Sequence, residues 1–175
     1  MLPSCRKLWM SRKAAAASEF AIILPIIVFL FAAIVEFGRI FQVYAATNRV
    51  ATQFAIAWAD CSDDPAGTCQ TELGAYTASY TLANIAPQLD PTKLTLTMFQ
   101  VTMSGATPTV VYSYPSSASL SAAQTSAAQA NFASGQTGVI VSASYAHTLD
   151  FFSNQLSPYL GSYLTPSYTV AQLKT

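Results

Sequence analysis

The feature that most constrains this chain is a run of sixteen residues, FAIILPIIVFLFAAIV, without one polar side chain, bounded by Glu19 and Glu36. As a helix the run spans about 24 Å, slightly less than a hydrocarbon core about 30 Å thick. Extending it to residues 15–38 gives about 36 Å, which is ample. The segment can therefore cross a bilayer if Glu19 lies at or inside the margin of the apolar zone. Pro25 removes one backbone hydrogen bond within it, a loss that membrane helices tolerate better than soluble ones.

Charge distinguishes the two ends. Arg6, Lys7, Arg12 and Lys13 put four positive and no negative charges into residues 1–14, while the remaining 161 residues carry four Lys/Arg and eight Asp/Glu. A basic head before an apolar helix predicts a cytoplasmic N-terminus and an exported C-terminus. With 52% hydrophobic and 9% charged residues the chain is too apolar for a disordered one. Eight basic residues against eight acidic ones leave no excess to release counterions from phosphates, so no nucleic-acid partner is expected. The 175 residues suit one domain with a core and are short for two.

Three readings compete with a retained membrane anchor for the apolar segment. A buried core helix fits sixteen residues but not the flanking charge asymmetry. A cleaved secretory signal would use the small residues of Val43-Tyr44-Ala45 and leave a secreted or periplasmic binding protein starting near Ala46, yet Glu36 and Arg39 interrupt the stretch before that site. A lipoprotein signal fails, because Cys5 has no apolar run before it. A retained anchor is the favoured reading, either as a monomeric membrane-anchored domain or as a subunit of an assembly.

Glu19 bears on that choice. An acid at the centre of a membrane helix costs about 2.5–3.5 kcal/mol, and less near the interface. Its plain role is to mark the cytoplasmic end of the helix, where an acid complements the helix dipole. The order of basic residues, small residues, Glu19-Phe20 and an apolar helix resembles a class III, type IV prepilin-like signal. That resemblance implies a prepilin peptidase cutting between Ala14 and Ala15, which leaves Glu19 at the fifth mature position. The new ammonium on Ala15 would stand one helical turn from Glu19 and could neutralise it within the chain or in a neighbour. Ala14 stands where that class usually has glycine.

A narrower likeness covers residues 14–57. Glu19-Phe20-Ala21, the Leu24-Pro25 pair, Val35-Glu36-Phe37-Gly38-Arg39 and an alanine-rich continuation with Asn48 occur in that order. The segment resembles the TadE-like family of minor pilins (pseudopilins) of the tight-adherence, or Tad/Flp, pilus. The resemblance implies a non-enzymatic subunit with no cofactor, held in the inner membrane by one span and moving into a pilus that attaches cells to surfaces. It also implies TadE-, TadF- and TadG-type minor pilins, the major Flp pilin and the prepilin peptidase as partners, in hetero- or homo-oligomers.

Glu36 and Arg39 are three residues apart and share a helical face, either as an interfacial ion pair or as an intersubunit one. Beyond them Ile40, Val43, Tyr44, Val50, Ala51, Phe54, Ala57 and Trp58 fall on one face, with Arg39, Gln42, Arg49, Gln53 and Asp60 opposite. This predicts one helix from about Ala15 to Ala59, its first half in the membrane and residues 39–60 an amphipathic continuation packed on a domain. Long N-terminal helices of this kind are what a pilin-like fold implies.

Residues 61–175 read as an exported α+β domain. Cys61 and Cys69 bracket turn-forming residues, and oxidising surroundings predict a disulfide; two thiols without a nearby histidine cannot complete a metal site. Cys5, on the cytoplasmic side, is expected to stay reduced. A second helix is predicted over Thr71–Ala86, then strands at Lys93–Met103, Thr109–Tyr114, Gly138–Leu149 and Tyr168–Leu173. Ser116–Gly135, in which SAAQ occurs twice, reads as a surface insertion, partly helical or mobile. The expected fold is α+β: a long N-terminal helix against an antiparallel sheet of three or four strands. No catalytic constellation is expected. His147 is the one histidine, Asp63 and Asp64 have no base nearby in sequence, and the glycines form no phosphate-binding loop.

Overall fold

The computed structural model describes residues 4–61, 68–76, 81–151 and 158–174. The chain divides into two compact units, Met1–Arg39 and Ile40–Thr175.

Helix α1 runs Ser4–Ala59 and contributes to both units. It begins eleven residues before the expected Ala15. Lys, Arg, Leu, Met and a run of alanines are strong helix formers, so the basic head continues the helix. Within the first unit every large apolar side chain from Phe20 to Phe37 is exposed. That is an apolar surface on all sides, the condition of a helix that needs lipid or other apolar helices around it.

In the second unit α1 becomes one-sided. Ile40, Val43, Ala46, Val50, Phe54 and Trp58 are buried, a three- and four-residue spacing that turns one stripe inward. Arg39, Gln42, Arg49, Gln53 and Asp60 are exposed, as the periodicity predicts. Thr47 also lies on the buried face and is satisfied by donating to the Val43 carbonyl at 2.8 Å.

The predicted second helix is observed as α2 (Thr68–Tyr76) and α3 (Thr81–Ile85), with residues 77–80 outside the described segments. Cys61, just past α1, is disulfide-bonded to Cys69 in the first turn of α2, with their Cα atoms 5.8 Å apart. Asp63 and Asp64 lie outside the described residues.

Four strands form one antiparallel sheet in the order β2-β1-β3-β4: β1 (Leu94–Ser104), β2 (Thr107–Tyr114), β3 (Thr137–Tyr145) and β4 (Ser167–Leu173). The first two close on the two-residue turn Gly105-Ala106, where Gly105 adopts a φ of 62°, the left-handed conformation that such hairpins require. The third strand stops four residues before the predicted Leu149. Past Tyr145 the Ala146 and His147 amides turn to the carbonyls of Lys93 and Leu164.

Strand alternation gives the sheet two buried faces. Leu96, Met98, Val139, Val141 and Ala143 pack with α1 and with Leu82 and Leu89, and Trp58 meets Tyr112 edge-on at 5.7 Å. Phe99, Val101, Met103 and Ile140 face the other way, against Ala128 and Phe132. Ser116–Gly135 is partly helical, as expected, but it also supplies a packing layer and is not only a surface insertion. Its centre is helix α4 (Ala122–Asn131), which lies on the sheet. The first SAAQ, Ser121–Gln124, is a capping box: the Ser121 hydroxyl accepts from the Gln124 amide, and the Gln124 side chain accepts from the Ser121 amide.

Candidate functional site

The residues singled out by the sequence lie mainly along α1. The Ala14–Ala15 bond is part of its helical backbone. Glu19 follows Ala15 by four residues, so both positions share a face about 6 Å apart along the axis. The Glu19 side chain is exposed and begins the stretch whose large apolar side chains are all exposed. The carboxylate therefore stands between the basic, polar start of α1 and its apolar stretch. A cation one turn away could neutralise it without leaving the helix surface.

Glu36 and Arg39 close the same stretch. Glu36 is 3% exposed and Arg39 is exposed, and each is engaged by another group. Glu19 and Glu36 are seventeen residues apart, about 25 Å along a straight helix. They therefore bracket the apolar segment instead of converging on one site. Burial of Glu36 among exposed apolar neighbours is the one feature here that periodicity alone did not predict.

The Cys61–Cys69 pair belongs to the second unit, where it ties the end of α1 to α2. Val43 bears on the secretory alternative. It lies inside α1 with Val50, Phe54 and Trp58 in the main core of that unit. Cleavage after Ala45 would remove Val43 and Ile40 from packed positions.

Among the described residues no group of three or more His, Cys, Asp or Glu side chains could hold a metal ion. His147 is half-buried two residues past the end of β3 and engaged by another group. Among the described residues, Asp90 is the carboxyl whose surroundings clearly shift its acidity. Hydrogen bonds from the Thr92 hydroxyl at 2.7 Å and the Thr92 amide at 2.9 Å hold its carboxyl below the usual carboxylate range. It caps the short 3-10 turn Pro91–Lys93 and is a structural feature.

Residues 14–55 match the family model described as TadE-like protein. The match takes in the Glu19-Phe20-Ala21, Leu24-Pro25 and Val35–Arg39 motifs and bears out the likeness read from them. No curated protein and no solved structure matches the chain.

Proposed function

Proceeding from the TadE-like segment at residues 14–55, we propose that the chain is a minor pilin of a Tad/Flp-type pilus, working by assembly and not by catalysis. The observation that carries this reading is the coincidence of the first part of that segment with the stretch of α1 from Phe20 to Phe37, whose large apolar side chains are exposed all round and which Glu19 precedes. The basic head stays in the cytoplasm, residues 15–38 cross the inner membrane, and the domain is exported.

A prepilin peptidase would cut between Ala14 and Ala15 and free an ammonium one turn from Glu19. That charge lowers the cost of holding the carboxylate in the membrane and offers a neighbouring subunit a docking point in register. The apolar helix would then exchange lipid for other subunits' helices. Its partners in this reading are other TadE-, TadF- and TadG-type minor pilins and the major Flp pilin. The place of Val43 in the core supports a helix that is kept over one removed with a signal sequence.

Intact mass and N-terminal sequence of the protein from its native membrane test the proposal. It requires a start at Ala15. A start near Ala46 would make it a secreted protein, and an uncut Met1 would make it an anchored domain with Ala14 as a poor substitute for glycine.

A further inference from the structure

The exposed aromatic side chains of the second unit are gathered in one place. Among its described residues they are Phe41, Phe151, Tyr159 and Tyr163. Each stands one or two residues from a member of the small apolar cluster of Ile40, Leu149, Leu160 and Leu164, which Tyr44 joins. Every other aromatic side chain described in the unit is buried or half-buried. The sheet and the rest of α1 therefore hide their rings, and this cluster alone is rimmed by exposed ones.

The segment 158–164 displays two of them. It is helical and closes on the 3-10 turn Gly161–Leu164. Leu160 and Leu164 pack on the Ile40 cluster, while Tyr159 and Tyr163, one residue before each, are 83% and 62% exposed. The end of the segment is tied to the sheet. The Leu164 carbonyl accepts from the His147 amide at 2.8 Å, and the Pro166 carbonyl accepts from the Tyr145 amide at 3.1 Å. Burial of the leucines thus holds the tyrosines outward. On α1, Phe41 is 72% exposed beside the buried Ile40. Rings gain more from burial than most side chains, so a group of them displayed together calls for an apolar partner.

Chain continuity identifies that partner. If residues 15–38 cross the membrane, as proposed above, Ile40 follows the end of the span by two residues and Tyr44 by six. Helix α1 is unbroken here, so they stand about 3 Å and 9 Å beyond it along the axis. The interfacial layer on each side of the hydrocarbon core is about 5–8 Å deep. The cluster on Ile40 and Tyr44 therefore lies at headgroup level. Tyrosine, with an apolar ring and a polar tip, is a side chain that this layer favours.

We propose that the 158–164 turn, together with Phe41, is a second membrane contact. Tyr159 and Tyr163 insert into the headgroup layer of the leaflet on the exported side and hold the domain against the bilayer. The contact rests on the proposed span and adds to it a surface that the family match at residues 14–55 does not include.

Gly161 offers a position for a probe, since a Cβ there meets nothing within 4 Å. The test places a spin label on Gly161→Cys in the full chain with Cys5→Ser, one copy per phosphatidylcholine nanodisc. The same label on Val28→Cys reports the span, and on Ala106→Cys the turn at the far end of β1. Electron paramagnetic resonance compares collisions with oxygen, which concentrates in lipid, and with a water-soluble nickel chelate. The Gly161 label should fall between the Val28 and Ala106 values, and Tyr159→Ser with Tyr163→Ser should move it to the Ala106 value. Both tyrosines are exposed, so the double variant should keep its unfolding midpoint. A Gly161 label as open to the chelate as the Ala106 label, while Val28 is in lipid, would overturn the membrane contact and leave the span standing. Protection that needs two copies in one disc would overturn it in favour of a second copy as the occupant, and protection that survives loss of both tyrosines would also overturn it. A Val28 label open to the chelate would end the span reading and this contact with it.

Discussion

The ring of Phe132 occupies the space that a Cβ on Gly138 would fill. Phe132 is the residue at which α4 ends, and Gly138 is the second residue of β3. The glycine lets the ring lie flat on the strand and close the second core layer. Gly138→Ala must push the ring or the helix end away, at about 1–3 kcal/mol. Chemical denaturation should show a lower midpoint, and Phe132→Leu should recover part of the loss in the double variant. Unchanged stability in Gly138→Ala would mean that the contact is easily relieved.

Gln124 holds α4 to the sheet through one buried amide group. Its carbonyl accepts from the Ser121 amide at 2.8 Å, and its Nε2 donates to Thr97 and Ser142. Gln124→Leu keeps the bulk but removes half of the capping box and the donor shared by the Thr97 and Ser142 hydroxyls. The expected cost is about 1–3 kcal/mol, with amide exchange accelerated most in α4. Acceleration spread evenly through the domain would contradict a local role for this side chain.

The disulfide offers a separate test, since it closes a loop with a sequence separation of 8. By the loop-entropy estimate it contributes about 2.5 kcal/mol. Replacing Cys61 and Cys69 together with alanine should lower stability by about that amount while the sheet persists by circular dichroism. Free-thiol titration should detect Cys5 alone in the uncut chain and no thiol in a chain that starts at Ala15. A second reactive thiol without reductant would refute the pairing.

Legibility in the sequence followed the range of the interactions. The apolar run, Glu19 and the Glu36–Arg39 group are contiguous, so their pattern survives without any tertiary information. The strand at Gly138–Leu149 was also plain, since Val139, Val141 and Ala143 alternate within one segment. Helix α4 was missed as a packing layer because Ala, Ser and Gln carry almost no hydrophobic signal, and its large anchor, Phe132, lies at its very end. The capping box in SAAQ was the available clue. The pairing of the Thr97, Ser142 and Thr169 hydroxyls across three strands was invisible for another reason. Thr-Leu-Thr, Ser-Ala-Ser and Ser-Tyr-Thr look like ordinary alternation until register places them side by side, and register is set by contacts far apart in sequence.

Asp90 gives a pH signature. The Thr92 hydroxyl and amide hold its carboxyl below its ordinary value of 3.8. Its contribution to stability is therefore complete above the unfolded-state value and is lost as pH falls through the lower folded-state value. The carboxylate is fully exposed, so the effect is small. An NMR titration should place its midpoint below 3.8, and Thr92→Val should move it back up. A wild-type midpoint at or above the ordinary value would show that the cap does not form in solution.

Replacing Glu19 with alanine separates an assembling subunit from a merely anchored one. The substitution removes a charge from the margin of an apolar helix, so membrane insertion should be unchanged or improved. Two opposite charges about 6 Å apart at an effective dielectric near 20 attract by about 3 kcal/mol, roughly a hundredfold in an association constant. Piliation should therefore collapse in Glu19→Ala while the membrane pool of the protein stays at its normal level. Glu19→Gln, which keeps size and polarity but not charge, should fail in the same way if pairing with the Ala15 ammonium is what matters. Shed-pilus yield against membrane abundance, measured by immunoblot for each variant, reads both quantities. Normal pili in Glu19→Ala would end the assembly role of this carboxylate, and normal pili in Glu19→Gln alone would reassign it from charge pairing to hydrogen bonding.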